Sequence, residues 1–573
     1  MALVKVPVDP TVLPESFNFA TDIVDYWATK SPSRIALHWI DQSLEIEKKL
    51  TYNHFAKISH AVANLLKSIG VAKGDTCIII LPRLPEWWEM AAGCLRAGVI
   101  LCPCTTLLVA KDIEYRLQIS KAKVFVGDEV SVSKVLAVRE SCPDLRKIIQ
   151  IGPKPVIGQG VTSYESALSE IPLDAIFTTP ALKPSSPALI FFTSGTTGPP
   201  KMVLHSQTSY PLAHALTGIH WLKLDSSSVY WNLSEQGWAK AAWAFFATWN
   251  CGATLFVHDD REAFAPQRTL EVLTKFPITT LCAPPTAYRQ LILDKNHKYF
   301  QHPGMKTLVH ACGAGEPLND SVIQKWKELT NGMEIYDGYG QTETILICAN
   351  QAGNPIKPGS MGKPIPGVPL VVIDLDGHVV PDDTEGDIAI EIQPNSPQSF
   401  YGVFQGYIRT GTNDLDQRIK TSDTGKQYYL TGDRATRDRD GYIKFVGRND
   451  DVINSSGYRI GPFEVESTLK MHPCVVESAV VASPDPERDE VVKAFVVLTS
   501  QAYAETLRTP TKKNELIKEL QNFCKKNAAP YKYPRKIEFV DASFLPKTIS
   551  GKIKRAELRK REKKRYAELK AKL

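Results

Sequence analysis

The chain has 573 residues, of which 43% are hydrophobic and 23% are charged, values typical of a globular protein with more than one domain. The formal net charge is +6, but residues 554–573 alone carry +7, so the basic excess belongs to the tail and the rest is nearly neutral. No apolar run approaches the roughly 18 residues that cross a bilayer, so we expect no transmembrane segment. The N-terminal stretch MALVKVPVDPTVLPESF has neither a signal-peptide pattern nor an Arg-rich amphipathic pattern, so we expect no secretion and no mitochondrial import.

The first third of the chain alternates helical and strand patterns. Apolar residues at helical spacing predict a helix over 53–69, and a short apolar run predicts a buried strand over 76–81. The next segments predict a helix over 85–98 and strands over 99–104 and 123–129. Alternation of this kind predicts parallel sheets covered by helices, which is an α/β fold.

A loop rich in glycine and hydroxyl residues follows the predicted buried strand 188–192. Gly195 and Gly198 can adopt positive φ and turn backbone N–H groups inward, and Lys201 adds a point charge. Such a loop suits a polyphosphate, although its spacing is not that of a P-loop. An ordinary flexible surface loop has a similar composition. The residues that we predict to contact phosphate are Thr193, Ser194, Gly195, Thr196, Thr197, Gly198 and Lys201.

The pattern changes after about residue 360. Short strands with turn signals over 361–447 predict a smaller, mostly antiparallel unit. Residues 447–461 are dense in glycine and polar residues and contain the candidate hinge. We therefore predict a large N-terminal domain over 1–447, made of mostly parallel sheets and a small β-rich subdomain, a hinge over 448–451, and a small α+β C-terminal domain over 452–573.

Four further clusters carry chemistry. In YDGYGQTET (336–344), Tyr339 offers a face for stacking a base, Asp337 offers an acceptor for an exocyclic amine, and Glu343 is a carboxylate suited to Mg²⁺. Asp433, in a TGD turn, could accept two ribose hydroxyls, and Gly447 precedes Arg448. The segment LPKTISGK ends in Lys552. Each cluster alone is weak, because an aspartate in a turn is usually a capping residue.

Together these motifs identify a family. The order TSGTTGPPK, YGQTE, TGD, GR followed by DD, and PKTISGK, over some 360 residues, resembles the adenylate-forming superfamily of acyl-CoA synthetases, luciferases and peptide-synthetase adenylation domains. The stretches LPRLPEWWEM, YRLQISKAKVFVGDE, INSSGYRIGPFEVE and APYKYPRKIEFV resemble the medium-chain acyl-CoA synthetases, and the resemblance covers residues 15–560. It implies an enzyme with a mobile C-terminal domain that joins a small-molecule carboxylic acid to AMP, using MgATP, and then transfers the acyl group to CoA.

The resemblance also implies roles for individual residues. Lys552 would stabilise the reacting phosphorus, Glu343 and Thr196 would hold Mg²⁺, and Asp450 would be the hinge residue. Beyond the phosphate loop, the implied ATP-binding residues are Gly315, Glu316, Pro317, Asp337, Gly338, Tyr339, Gly340, Gln341, Thr342, Asp433 and Arg448. The implied CoA-binding residues are Gln118, Ser456, Gly457, Tyr458, Arg488, Tyr531, Lys532 and Tyr533.

The acyl pocket is implied by the same resemblance. Acetate-specific relatives have a tryptophan where this chain has Gly340, so we expect a pocket open to a medium-chain or aromatic acid. Trp238 resembles the tryptophan that lines the acyl channel, and Arg459 would lie near the acyl phosphate. Glu235 could bind an α-amino group, which leaves amino-acid activation open. Ile345 replaces the family's usual glycine and could narrow the pocket.

A non-catalytic function would depend on the basic C-terminal tail, residues 554–573. A non-catalytic protein on this fold could use residues 554–573 on nucleic acid or membrane, but Lys552, Glu343 and Asp433 are all present. Leu558 and Leu569 make too thin an apolar stripe, so we expect a solvated, frayed helix and no nucleic-acid partner.

The final Ala571-Lys572-Leu573 resembles a peroxisomal address, which predicts a peroxisomal or else a cytoplasmic location.

The eleven cysteines include no CxxC pair, which predicts reduced, mostly buried thiols. The oligomeric state stays open.

Overall fold

The computed structural model describes residues 6–152, 160–172, 174–193, 199–315, 318, 320–357, 359–393, 396, 399–409, 414–449, 451–455, 458–485, 489–506, 509–528, 532–548 and 552–570. Every structural statement below refers to these ranges. Within them, no helix combines the length and the apolar character that crossing a bilayer requires.

The strands are β1 (Ile35–Ile40), β2 (Glu47–Thr51), β3 (Thr76–Ile80), β4 (Ile100–Pro103), β5 (Val124–Gly127), β6 (Lys147–Gln150), β7 (Val161–Ser163), β8 (Pro187–Thr193), β9 (Lys201–Ser206), β10 (Val229–Asn232), β11 (Thr254–His258), β12 (Thr280–Ala283), β13 (His310–Ala314), β14 (Ile335–Gly340), β15 (Leu346–Ala349), β16 (Lys363–Pro364), β17 (Leu370–Ile373), β18 (Gly386–Ile392), β19 (Gly406–Ile408), β20 (Leu415–Asp416), β21 (Ile419–Thr421), β22 (Gln427–Arg437), β23 (Ile443–Arg448), β24 (Ile453–Ser455), β25 (Tyr458–Ile460), β26 (Val475–Asp485), β27 (Asp489–Leu498) and β28 (Lys536–Phe539).

The helices are α1 (Tyr26–Lys30), α2 (Tyr52–Ser68), α3 (Glu86–Ala97), α4 (Ala110–Ser120), α5 (Glu129–Leu136), α6 (Tyr164–Ser169), α7 (His214–His220), α8 (Ala239–Asn250), α9 (Pro266–Lys275), α10 (Pro285–Leu291), α11 (His297–Phe300), α12 (Asp320–Leu329), α13 (Pro462–Lys470), α14 (Ser500–Thr506), α15 (Pro510–Asn527) and α16 (Arg555–Lys570).

Local sequence explains the early elements, which form where the patterns predict them. Thr51 caps α2 by accepting a hydrogen bond from the backbone N–H of His54, and the apolar residues of α2 face the core. Helix α3 ends at Gly98, whose φ of 70° lies in the left-handed region that glycine tolerates best. Strand β3 is buried along its whole length, as expected for an interior parallel strand.

Two large sheets dominate the N-terminal part and confirm the predicted α/β class. The first sheet has the order β16-β15-β14-β13-β12-β10-β11-β1-β2, and its strands from β14 to β1 run parallel. The second sheet has the order β20-β19-β9-β8-β4-β3-β5-β6-β7, and its strands from β8 to β7 run parallel. Antiparallel strands close the ends of these parallel cores, so each sheet is mixed.

The third sheet is antiparallel and is smaller than the predicted unit over 361–447. It contains β17, β18, β22, β21 and β23. Strand β16 instead joins the first sheet, and β19 pairs antiparallel with β9 of the second sheet. This pairing is a correction to the sequence-based boundary. Its physical reason is that β19 satisfies backbone groups along one side of β9 that would otherwise form an open sheet edge.

The fourth sheet belongs to the C-terminal part and has the order β25-β24-β27-β26, with β28 parallel to β27. Helix α16 packs beside this sheet through Leu558, which is fully buried, and Glu562, which accepts hydrogen bonds from Ser483 Oγ (2.9 Å) and Lys493 Nζ (2.6 Å). The expectation of a solvated, frayed tail helix is therefore wrong for the first half of α16. A buried ion pair anchors the helix where the apolar stripe is thin.

The cysteine prediction is confirmed. All eleven cysteines are free thiols, and ten of them are buried, with Cys474 half-buried. The boundaries that we predict between the large domain, the hinge and the small domain stay predictions. The third sheet ends at Arg448 and the fourth begins at Ile453, so the two lie close together along the chain.

Candidate active site

The predicted phosphate loop lies in the sequence between two paired strands. Strands β8 and β9 are antiparallel, and Thr193 at the end of β8 pairs with Lys201 at the start of β9. The residues between them that we predict to contact phosphate, Ser194, Gly195, Thr196, Thr197 and Gly198, lie outside the described residues. Lys201 Nζ lies 4.8 Å from the centre of the Tyr407 ring, so its cation stands at the base of the loop.

Tyr407 connects the loop to the predicted metal ligand. Its hydroxyl donates a hydrogen bond of 2.6 Å to Glu343 Oε1, and the guanidinium of Arg418 lies 5.1 Å from its ring centre. The buried ring thus contacts two cations and fixes one carboxylate. Burial and the neighbouring Glu343 raise the pKa of Tyr407 far above its usual value, so the phenol stays protonated and acts as a donor. Glu343 is therefore held in a defined orientation.

Asp433 is the centre of a buried hydrogen-bond network. Tyr339 Oη donates to Asp433 Oδ2 at 2.5 Å, and Gln341 Nε2 donates to the same oxygen at 2.7 Å and to the Thr431 carbonyl at 3.0 Å. Tyr429 Oη donates to Gln341 Oε1 at 3.2 Å. Strands of the first and third sheets therefore share one network, which brings the YGQTE and TGD motifs together as predicted.

Two cations and two hydrogen-bond donors act on Asp433. Burial raises its pKa, while the cation of Arg448, the hydrogen bonds from Tyr339 and Gln341, and the cation of Lys552 each oppose that rise. Arg448 stands directly opposite Asp433 in the register of β22 and β23. The structure thus brings the predicted ribose residues and the predicted catalytic lysine to one site.

Lys552 lies on an exposed hairpin just before α16. The Thr548 N–H donates to the Lys552 carbonyl at 2.8 Å, and the Lys552 N–H donates to Thr548 Oγ1 at 3.1 Å. A further backbone bond from Lys554 to Pro546 closes the hairpin. The backbone is therefore ordered by local hydrogen bonds, while the lysine side chain projects from an exposed position.

The predicted adenine region is buried. Asp337 accepts a hydrogen bond from its neighbour, the Gly338 N–H (3.0 Å), and a longer one from the Leu318 N–H (3.5 Å), and burial raises its pKa to about 7. Gly315 has a φ of 105°, which favours glycine. Lys240 Nζ donates to the Ala314 carbonyl at 2.6 Å and fixes the end of β13. Glu316 and Pro317 lie outside the described residues.

Thr342 is positioned through its backbone. Its carbonyl accepts a hydrogen bond of 2.7 Å from His205 Nε2, and His205 Nδ1 lies 3.0 Å from Ser209 Oγ. Burial lowers the pKa of His205 to about 4, so the imidazole is neutral at physiological pH. A neutral imidazole at the end of β9 therefore ties the QTE segment to the second sheet.

The acyl region differs in part from the sequence-based picture. Trp238 is half-buried and precedes α8, whereas Trp243, Phe245 and Phe246 are buried in the core. An ideal Cβ on Gly340 would lie 2.5 Å from the carbonyl oxygen of Ile345. A side chain there would therefore collide with backbone, and a tryptophan could not simply fill an open space in this conformation.

Glu235 and Ile345 both bear on which acid the enzyme accepts, and the structure shows the surroundings of each. Glu235 accepts hydrogen bonds from the backbone N–H groups of Gly237 (3.2 Å) and Thr106 (3.3 Å). This carboxylate therefore holds its own loop in place, which weakens its role as an amino-group ligand. Ile345 is 1% exposed and belongs to the core.

The predicted CoA residues are only partly described. Lys532 Nζ pairs with Glu464 Oε2 at 2.7 Å, and Tyr533 stands between Lys525 (4.2 Å to the ring centre) and Arg535 (5.1 Å). Gln118 is exposed and donates to the Ser141 carbonyl at 2.9 Å. Only the backbone of Tyr458 and Arg459 is described, on β25. Asp450, Ser456, Gly457, Arg488 and Tyr531 lie outside the described residues.

Residues 24–408 match the family described as AMP-binding enzyme, and residues 464–552 match the AMP-binding enzyme C-terminal domain. The chain belongs to this family. Human acyl-coenzyme A synthetase ACSM3, which is named as mitochondrial, is 45% identical over 560 residues that cover 96% of this chain and 90% of the human protein. The Brucella canis acyl-CoA synthetase structure is 33% identical with a TM-score of 0.68, covering 96% of this chain and 95% of that one. The anthranilate CoA ligase AuaEII, solved with anthranoyl-AMP, is 28% identical with a TM-score of 0.81, covering 98% and 100%.

These similarities establish the reaction class. The protein is an ATP-dependent acyl-CoA synthetase, an AMP-forming acid–thiol ligase that uses ATP and CoA. They also correct the location that we predicted from the C-terminal tripeptide. The relatives are named as mitochondrial, which contradicts a peroxisomal or cytoplasmic location. The tripeptide itself lies outside the described residues.

Sequence analysis missed four residues of this acyl-CoA synthetase. Tyr407 and Arg418 contact the phosphate side of the site, and His205 and Lys240 fix the backbone on the nucleotide side. The sequence around Tyr407, a glycine followed by a short strand pattern, gives no sign of a functional residue. Tyr407, His205 and Lys240 contact residues in or beside the motifs of other segments, and Arg418 contacts Tyr407, so no spacing rule within one segment could have found them.

Proposed function

We propose that this acyl-CoA synthetase activates a carboxylic acid longer than acetate, of the medium-chain class, and that Mg²⁺ accompanies ATP. The observation that supports the substrate class is Gly340. Glycine has no side chain, so nothing from residue 340 closes the acyl pocket as the tryptophan of acetate-specific relatives does. Each methylene that the pocket buries would add about 0.8 kcal/mol of binding free energy.

The first step forms acyl-AMP. An oxygen of the substrate carboxylate attacks the α-phosphorus of ATP, the new oxygen–phosphorus bond forms, and the bond to the β-phosphate breaks with release of pyrophosphate. Anions approach each other in this step, so cations and N–H donors must surround the phosphorus. Lys552 would supply the charge at the α-phosphate, Lys201 would serve the outer phosphates, and Asp433 would accept the ribose hydroxyls.

Glu343 fits a role toward Mg²⁺. It is a half-buried carboxylate whose orientation is fixed by Tyr407, and carboxylate oxygen is a ligand that Mg²⁺ prefers. Thr196, the other predicted ligand, lies outside the described residues. When bound, the ion would neutralise negative charge on the phosphates.

The second step forms the thioester. The CoA thiolate attacks the acyl carbon and a carbon–sulfur bond forms. The bond between the acyl carbon and the phosphate oxygen breaks, and AMP leaves with that oxygen. We propose that the C-terminal part rotates at the hinge between the steps, so that Lys552 leaves and the segment around Tyr458 enters. The short stretch of sequence between the end of the third sheet at Arg448 and the start of the fourth at Ile453 supports this proposal, because a hinge needs only a few residues at the ends of elements.

A carboxylate panel tests the substrate class. Pyrophosphate release would be measured with acetate, butyrate, hexanoate, octanoate, benzoate and phenylalanine, with ATP and with or without CoA. We expect the highest kcat/KM for hexanoate or octanoate and little turnover of phenylalanine, because Glu235 is committed to its own loop. A preference for acetate or for phenylalanine would contradict the proposal.

A further inference from the structure

Four charged side chains join the end of the hinge to helix α16. Arg559 Nη1 donates to Asp451 Oδ1, and Arg555 Nη1 lies 3.8 Å from Asp451 Oδ2. Arg555 also contacts Glu466, with its Nη2 2.6 Å from Oε2 and its Nε 3.0 Å from Oε1. Two arginines one helical turn apart on α16 thus face two carboxylates from α13 and the hinge.

This cluster is far more buried than an ordinary surface ion pair. The side chain of Glu466 is 3% exposed and that of Asp451 10% exposed, with Arg559 and Arg555 at 19% and 22%. Glu466 Oε1 also accepts the backbone N–H of Val480 at 2.8 Å, which ties the cluster to β26. Removing one partner from such a cluster leaves a buried charge uncompensated, whereas exposed pairs contribute little.

The two ends of the cluster lead to the two sides of the active site. The N–H groups of Asp451 and Val452 both donate to the Arg448 carbonyl, at 3.0 and 3.1 Å, and Arg448 stands opposite Asp433. At the other end, Arg555 is the first residue of α16 and directly follows the hairpin that presents Lys552. Asp451 is therefore three positions along the chain from Arg448 at the ribose site, and Arg555 is three positions from Lys552.

We propose that Arg555 and Arg559 are positioning residues that clamp the Lys552 hairpin to the end of the hinge. With the clamp intact, the orientation of the hinge determines where Lys552 stands relative to Asp433. Without it, the hairpin and the first turn of α16 would be held less firmly against Asp451, while Leu558 and Glu562 still anchor the helix, and Lys552 would sample more positions. The clamp rests on the proposed function in assigning Lys552 to the adenylation step and in placing the hinge at residues 448–451.

The test separates the two half-reactions. Arg559→Met keeps most of the apolar stem and removes the cation, and Lys560→Met is its matched control at an adjacent exposed position. Adenylation would be measured by ATP–pyrophosphate exchange with the best acid of the panel, and thioester formation by a single turnover of supplied acyl-AMP with CoA. We expect Arg559→Met to lower adenylation by roughly 10- to 100-fold, the scale of a small misplacement of a catalytic group, and thioester formation by less than about threefold, with Lys560→Met unchanged in both.

A second set of variants keeps the outcome decisive if Arg559→Met folds poorly. Arg559→Lys retains the cation and should recover most of the adenylation rate. Asp451→Asn combined with Arg559→Met should cost no more in adenylation than the worse single variant, because both act through one contact. Equal losses in the two half-reactions, or unchanged adenylation in a folded Arg559→Met protein, would overturn the clamp. Wild-type protein that exchanges pyrophosphate with none of the acids would instead contradict the proposed substrate class.

Discussion

The two halves of the active site are built in opposite ways. Asp433 is 5% exposed and accepts two side-chain hydrogen bonds, so neighbouring side chains hold this carboxylate in place. Lys552 is exposed, and the hydrogen bonds between Lys552 and Thr548 hold its backbone. The difference fits our proposal, in which the nucleotide-binding groups stay fixed and the residue assigned to the chemical step moves.

The strongest test of this contrast removes the exposed group. We expect Lys552→Ala to reduce adenylation by about 10²- to 10³-fold, the scale for losing one electrostatic stabiliser. Thioester formation from supplied acyl-AMP should remain nearly unchanged, because the hairpin is not needed there. Pyrophosphate exchange and single-turnover thioester assays measure the two steps. Similar losses in both steps would show that Lys552 does more than serve adenylation.

Asp433→Asn probes the buried half and should weaken both steps. It removes the charge that would accept the ribose hydroxyls, and hydrogen bonds to charged groups contribute about 1.5–3 kcal/mol, or roughly ten- to hundredfold in affinity. Because acyl-AMP also carries the ribose, its binding should fall with that of ATP. Equilibrium titration with each nucleotide measures the effect, and Asp382→Asn, at an exposed position, is the control. A loss confined to adenylation would contradict this prediction, because Asp433 would then serve the same single step as Lys552.

Asp337 shows the energetic consequence of burying a carboxyl in the nucleotide half. Its pKa is raised to about 7, so the folded protein holds this proton more tightly than the unfolded chain does. Its stabilising contribution is complete below about pH 4 and is lost as pH rises through 7, with a slope near 1.4 kcal/mol per pH unit inside that window. Urea unfolding at pH 5, 6, 7 and 8 should show the slope in wild type and not in Asp337→Asn. Parallel curves would refute the assigned titration.

Tyr407→Phe tests the smallest effect, on the phosphate side. The substitution removes one hydrogen bond to Glu343, worth about 1 kcal/mol, and should raise the Mg²⁺ concentration needed for half-maximal ATP binding by roughly fivefold. Calorimetric ATP titrations over a range of Mg²⁺ concentrations measure it. Tyr401→Phe is the control, because Tyr401 donates to the Pro10 carbonyl instead. An unchanged Mg²⁺ dependence would separate Tyr407 from the metal site.

The early helices and strands could be predicted from sequence because their causes are local. Thr51 as a cap, Gly98 as a terminator and the buried run of β3 all act within a few residues. The segment 406–408 could not be assigned to its sheet, since its partner β9 lies about two hundred residues earlier in the chain. The tail helix was misjudged for a related reason, because its anchor Glu562 pairs with Lys493 on another element.

The sequence by itself determined the reaction class, because adenylation needs particular groups in particular backbone settings and the motifs carry them in order. It also predicts which residues bear the chemistry, among them Asp433, Glu343 and Lys552. Only the tertiary structure decided what holds those residues in place. Tyr407 against Glu343 and Arg559 against Asp451 are contacts between elements far apart in the chain. Sheet pairing and helix docking create such contacts, and neither leaves a trace in the local pattern of residues.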